Sequence, residues 1–340
     1  MGERLDILPV PAYHPGMQTQ IHSPFSAENH LLQLARQGKP RLSPALDRWL
    51  YPWLALVYAL ILPLLVGVLV AIPMLLLLMS SGISLESLAS GAATLPPGPA
   101  NLYLTVNLLL SFAPLYLLIW GWIVVFERRQ LWTVGFERPG ALGKYLRGFL
   151  LGGVLISLAI ALAALSGVAP GAPLAAANDP TGGLLALAGV ALILPGWLVQ
   201  GGAEEVLTRG FLLPIFGVRY GIPIAILVSS VLFSSLHLFN NYLSAIALLN
   251  LALFGVFASL YALREGGLWG ACALHASWNW VQGNLFGLPV SGTNSGASLL
   301  SLQLTGPDWW VGGAFGPEGG LAVTLVLLIG CVVLLLPRRR

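Results

Sequence analysis

The chain has 340 residues, with 16 Lys plus Arg, 13 Asp plus Glu and a net charge of +3. Only 9% of it is charged and 57% is apolar, against about 25% charged residues in an ordinary soluble domain. Together with a mean hydropathy of +0.84, this excludes a water-soluble fold. The abundance of Leu, Val, Ile and Trp excludes disorder, which leaves a polytopic membrane protein.

Residues 1–52 are polar and proline-rich and include His14, His22 and His30. They read as a cytoplasmic tail with partial disorder, in which 26–37 has the pattern of a short helix lying on the membrane. No secretory signal is expected, because the first apolar run begins only near Trp53. Asp6 stands where a myristoylation signal needs Ser or Thr.

A bilayer crossing takes about 17–25 apolar residues. Eight stretches qualify: 53–79, 102–126, 148–168, 183–203, 222–239, 243–263, 267–287 and 320–336. Trp53, Tyr103, Trp120 and Trp122 fall near span ends, where interfacial aromatics sit. No repeat is visible. The expected fold is therefore an all-α transmembrane helix bundle of about eight spans, over 53–340. Its longest outer loop, 288–319, carries Trp309 and Trp310 and is expected to fold back onto the membrane surface.

The positive charges are one-sided. Every Lys and Arg falls in the first 52 residues, after span two, at or beyond the end of span four (Arg209, Arg219), after span six (Arg264) or at the C-terminus. The opposite loops, 80–101, 169–182, 240–242 and 288–319, contain none. By the positive-inside rule both termini are cytoplasmic, and the basic excess reflects orientation and not nucleic-acid binding. Cys272 and Cys331 lie in apolar stretches, so neither a disulfide framework nor a cysteine zinc site is expected.

Five ionisable residues remain at membrane depth: Glu204, Glu205, Arg209, His237 and His275. Each costs roughly 2.5–3.5 kcal/mol to insert. One such residue is as easily an interhelical tie as a site, but five on three consecutive polar-bearing segments point to function. Glu205 and Arg209 are spaced i,i+4 with the acid first, the favourable order for an ion pair. Glu204 is offset by about 100° and is left to act elsewhere. A carboxylate without a cation in an apolar site suits general acid–base work.

Phe233 and His237 share one helix face at i,i+4, as do His275 and Asn279. Ser229 and Ser230 are expected to bond helix carbonyls. Two His, one free Glu and one Asn make either a metal site or a site that activates water. Glu204, His237 and His275 would form a His₂Glu zinc set, although no His-Glu-x-x-His occurs on one helix. Cys272, one turn before His275, reads as a small packing residue and not as a nucleophile. Hydropathy alone puts Glu204 at the cytoplasmic end of span four, far in depth from His237. Continuing that helix through Leu213 would bring Glu204 to mid-depth.

Glu204-Glu205-Val-Leu-Thr-Arg209, Phe233-Ser-Ser-Leu-His237 and His275-Ala-Ser-Trp-Asn279 are E-E-x-x-x-R, F-x-x-x-H and H-x-x-x-N motifs. In this order, on successive apolar helices, they resemble the CAAX-protease and bacteriocin-processing (CPBP) family of intramembrane endopeptidases, whose best-known members are type II CAAX prenyl endopeptidases. The resemblance covers about a third of the chain, with a catalytic core over 183–287. The stretch 314–320 is also similar to one in bacterial members. The resemblance implies that Glu204 activates the attacking water, that His237 helps hold it, and that His275 and Asn279 stabilise the oxyanion. It implies supporting roles for Glu205, Arg209 and Phe233. Zn²⁺ on Glu204, His237 and His275 and a metal-free, glutamate-activated water both remain open.

The leading reading is an intramembrane endopeptidase acting on a membrane-associated or lipidated peptide in a lipid bilayer. The composition is compatible with a bacterial inner membrane. The rival readings are a non-catalytic membrane scaffold of the same family and a transporter using these residues as a proton or cation relay.

Overall fold

The computed structural model describes residues 24–38, 42–84, 97–170 and 180–337. Two short helices precede the bundle. α1 (His30–Arg36) starts at Asn29, whose side chain accepts from the Leu31 amide and caps the helix. The Asn29 amide also donates to the carbonyl of Leu263 at 2.8 Å, and Leu31 and Leu32 are fully buried. Fully burying a Leu is worth about 1.5–3 kcal/mol. Within the expected segment 26–37 the helix covers His30–Arg36 alone, and its leucines are docked into the core. α2 (Pro44–Trp49) begins at the Ser43 cap, with Pro at its first position. The other residues of the N-terminal stretch, 1–23 and 39–41, lie outside the described residues.

The apolar runs then appear as helices in order. α3 is Tyr51–Ser80. α4 is Pro97–Trp122 and closes with a π turn, Ile123–Glu127. α5 is Ala141–Ala163. α6 (Pro180–Glu205) runs through a π segment, Val206–Leu212, into α7 (Leu213–Tyr220). α8 is Ile222–Ser235 and α9 is Ala245–Glu265. α10 (Trp269–Trp280) ends in a π turn, Val281–Leu285. After a long loop with one short helix, α11 (Asp308–Val311), α12 is Leu321–Leu335.

Tyr51–Ser80, Pro99–Glu127, Ala141–Ser166, Ala186–Tyr220 and Ala245–Glu265 are long and apolar enough to cross a membrane. Ile222–Ser235 and Leu321–Leu335 are shorter apolar helices. The molecule is an all-α polytopic bundle. Its small β element pairs Val168–Pro170 with Leu302–Leu304, antiparallel, and so joins the loop after α5 to the loop after α10.

The opposite end of the bundle gathers basic residues. Arg219 reaches Asp47 at 2.5 Å. Arg264 donates to the carbonyls of Leu334 and Leu336, the open end of α12, where a cation complements the helix dipole. Arg209 departs from the expected flanking position. It is fully buried inside the bundle, because the fourth apolar helix does not stop at 203 but continues to Tyr220.

Close helix packing sets the site. Gly148 and Gly152 on α5 face α10, and a Cβ on Gly152 would sit 2.1 Å from the Leu274 carbonyl oxygen. A Cβ on Gly201 of α6 would come within 2.7 Å of the Ala276 backbone. Small residues let membrane helices approach at backbone distance. Here they bring α5 and α6 onto the turn of α10 that carries His275.

Candidate active site

The continued helix resolves the depth of Glu204. Glu204 lies 17 residues before Gly221 and His237 lies 16 after it. Gly221 makes the turn with φ +87°, which favours glycine. Two antiparallel helices leaving one turn reach similar depth after similar residue counts, so both side chains line one cavity. The π segment begins directly after Glu205. Extra-wide turns of this kind often mark functional sites. Its Thr208 carbonyl accepts from the Ser229 hydroxyl at 2.9 Å, the backbone role expected for that serine.

A cavity of about 320 Å³ opens between α4, α6, α8, α9, α10 and the loop before α12. Glu204, Phe233, His237, His275 and Asn279 all line it. The motif residues are joined as follows. Arg209 Nη1 donates to Glu205 Oε1 at 2.8 Å, with both side chains fully buried. The guanidinium also lies 4.7 Å from the Phe233 ring centroid and donates to the Gly255 carbonyl. Glu205 Oε1 takes a second bond, from His275 Nδ1 at 3.0 Å. A carboxylate paired with Arg only accepts, so Nδ1 carries the hydrogen. This fixes the ring with Nε2 turned toward Glu204, 3.8 Å from Oε2.

Glu204 Oε1 accepts from Gln200 Nε2 at 2.8 Å. Gln200 Oε1 in turn accepts from Asn279 Nδ2 at 2.9 Å. Glu204 Oε2 has no hydrogen-bond partner among the described residues. It is thus the open end of a chain running Asn279–Gln200–Glu204.

His237 sits just beyond α8, in the turn after Ser235. Its Nδ1 bonds the Phe233 carbonyl at 2.8 Å, which leaves Nε2 as an acceptor. Phe233 packs on His237 (4.9 Å between centroids), His275 (5.7 Å) and Phe254 (5.6 Å). The F-x-x-x-H motif therefore places one aromatic ring between the buried arginine and both imidazoles.

Sequence reasoning gave no role to Gln200, Phe254, Trp278 or Glu318, although Trp278 lies inside the third motif and Glu318 inside the stretch 314–320. Gln200 had a visible signal, because it precedes Glu204 by four residues and shares its face. Phe254 T-stacks on His275 at 5.0 Å from a different helix, and nothing local marks it. Glu318 comes from a loop far along the chain.

The zinc set does not assemble. Among the described residues no group of three or more His, Cys, Asp or Glu is placed to hold a metal ion. His275 has committed Nδ1 to Glu205, and no hydrogen bond joins His237 to Glu204 or His275 among the described residues. Cys272 is buried, with Sγ 3.8 Å from the Gly202 carbonyl, in a packing position.

Comparison with known proteins adds one finding. The model of the Rce1-like type II CAAX prenyl endopeptidase family matches residues 183–281, a segment that contains all three motifs. No curated protein and no solved structure matches the chain. Residues 183–281 are thus similar to an Rce1-like type II CAAX prenyl endopeptidase, and this segment brings Glu204, His237, His275 and Asn279 to one cavity.

Proposed function

We propose that this protein is an intramembrane endopeptidase that hydrolyses a peptide bond near or within the bilayer, with Glu204 as the base that activates water. The observation that carries this reading is the unequal engagement of the two glutamates. Glu205 is neutralised by Arg209 and holds His275. Each keeps one carboxylate oxygen without a hydrogen-bond partner among the described residues, but only Glu204 lines the cavity.

Glu204 takes a proton from a water. The hydroxide attacks the peptide carbonyl carbon, and the carbonyl electron pair moves onto oxygen. Asn279, through the Nδ2 hydrogen not used on Gln200, is the donor offered to that developing charge, with His275 beside it. Each well-placed donor is worth about 10²–10³ in rate. The proton then passes from Glu204 to the leaving amide nitrogen as the carbon–nitrogen bond breaks. His237 Nε2 accepts from the water and holds it.

The wall on α3 and α4 is largely apolar, with Pro63, Leu104, Leu108 and Phe112 beside one polar residue, Asn107. This suits a membrane-associated or lipidated peptide. Five membrane-length and two shorter apolar helices support a multi-pass membrane protein, and the distribution of Lys and Arg along the sequence suits cytoplasmic termini, as in a bacterial inner membrane. The test is cleavage of a peptide library by the detergent-purified protein and by Glu204→Gln. Equal cleavage by both overturns the assignment of the base.

A further inference from the structure

Glu318 is a buried carboxylate on the wall of this cavity, and no cation pairs with it among the described residues. It lies outside the matched residues 183–281, in the loop before α12, and is 8% exposed. Buried carboxylates are costly unless strongly bonded, and this one is held by three donors. Trp278 Nε1 donates to Oε1 at 3.2 Å. The Ser291 amide donates to Oε2 at 2.6 Å and the Ser291 hydroxyl at 2.8 Å.

Both partners lead to the motifs. Trp278 lies between His275 and Asn279 in the third motif, and its ring packs on Phe254 at 5.4 Å, which in turn packs on His275. The Ser291 carbonyl accepts from Asn240 at 2.9 Å, three residues beyond His237. One carboxylate thereby joins the helix of the third motif to the end of the second.

The backbone carries a second, independent sign. Ser291 has φ +46°, and Tyr242, two residues beyond Asn240, has φ +59°. Non-glycine residues enter this region only where surroundings hold them, and such strain gathers at functional sites. The loop is packed at backbone distance around them. The Gly292 amide donates to the Phe315 carbonyl at 2.8 Å, and a Cβ on Gly316 would sit 2.1 Å from the Pro289 carbonyl oxygen. Asn250 of α9 also binds the Glu318 carbonyl, which keeps the side chain aimed into the bundle.

We infer that Glu318 is a positioning residue: it locks the 286–318 loop over the cavity and, through Trp278, sets the orientation of His275 and Asn279. This rests on the endopeptidase reading for its kinetic consequence, while the lock itself is observable without activity. In Glu318→Gln one oxygen becomes an amide donor, so the side chain can no longer accept from both Trp278 and Ser291.

The experiment compares wild type, Glu318→Gln, Glu318→Ala, Trp278→Phe and the double variant Glu318→Gln/Trp278→Phe in detergent. Amide hydrogen exchange is followed over 286–318, and kcat and KM are measured on the library peptide that wild type cleaves best. We expect exchange over the loop to rise about tenfold or more in Glu318→Ala. We expect kcat per folded enzyme to fall about 10- to 100-fold in Glu318→Gln, the scale of a small misplacement of reacting groups, with KM within about twofold. The double variant loses no more than the worse single variant, because both act through one contact.

Unchanged exchange in Glu318→Ala overturns the lock. Raised exchange with wild-type kcat, or losses that multiply in the double variant, overturns the positioning role. If wild type cleaves no peptide, the endopeptidase reading falls, and the exchange data still decide the lock.

Discussion

Glu205 holds His275 by its Nδ1 at 3.0 Å, and this one bond turns the other ring nitrogen toward Glu204. The adjacent glutamates thus have different tasks. The second holds an imidazole and is neutralised by Arg209, while the first lines the cavity. If this is right, Glu205→Gln, which keeps the shape but weakens the hold on Nδ1, lowers kcat more than it raises KM. Loss confined to KM contradicts it.

The Glu205–Arg209 pair is fully buried, so removing one partner strands a charge. Arg209→Met should destabilise the fold by about 3–5 kcal/mol, whereas replacing both members of a buried pair is often near neutral. Thermal unfolding in detergent should therefore show Arg209→Met well below wild type and Glu205→Gln/Arg209→Met partly recovered. A double variant less stable than Arg209→Met would show that the pair is not the cause.

Gln200 bridges Asn279 and Glu204. Gln200→Leu removes both bonds at similar volume. A single hydrogen bond is worth about 0.5–1.5 kcal/mol, and about 1.4 kcal/mol is tenfold in rate. We expect kcat to fall about tenfold or more with the unfolding temperature little changed. Asn279→Ala should cost about 10²–10³, the scale of one oxyanion donor. Wild-type kcat in both variants would remove the bridge from the account.

Gly152 leaves no room for a Cβ against Leu274. Gly152→Val should push α10 away from α5, at about 1–3 kcal/mol or more for overpacking, and activity should fall with stability because His275 moves with the helix. Full activity in a protein that melts lower would show that His275 is positioned from elsewhere.

The side chains that a zinc ion would need do not gather among the described residues. Activity is expected to survive exhaustive chelation, and elemental analysis should find zinc well below one per chain in wild type and in His237→Ala alike. Stoichiometric zinc lost in His237→Ala would contradict this.

Five helices were legible because each is an apolar run of membrane length, and the paired motifs were legible because i,i+4 spacing is a local property. Glu205–Arg209 follows from such spacing alone. The position of Arg209 was not, because hydropathy ends a span at the first charges and cannot see that Glu205 neutralises them within the helix. Glu318 was not legible either. Its partners Trp278 and Ser291 lie 40 and 27 residues away, and a carboxylate in a Gly-rich loop looks solvated until the loop is seen folded inward. Phe254 was hidden for the opposite reason, as one aromatic among many on an apolar helix.

The central claim is that Glu204 is the base that activates water. Its most direct test is single-turnover cleavage by wild type and Glu204→Gln, with both proteins shown to be folded by thermal unfolding. General acid–base groups contribute about 10²–10⁴ in rate. A loss of at least a hundredfold with an unchanged unfolding temperature is the predicted result, and cleavage by Glu204→Gln at the wild-type rate would contradict the account.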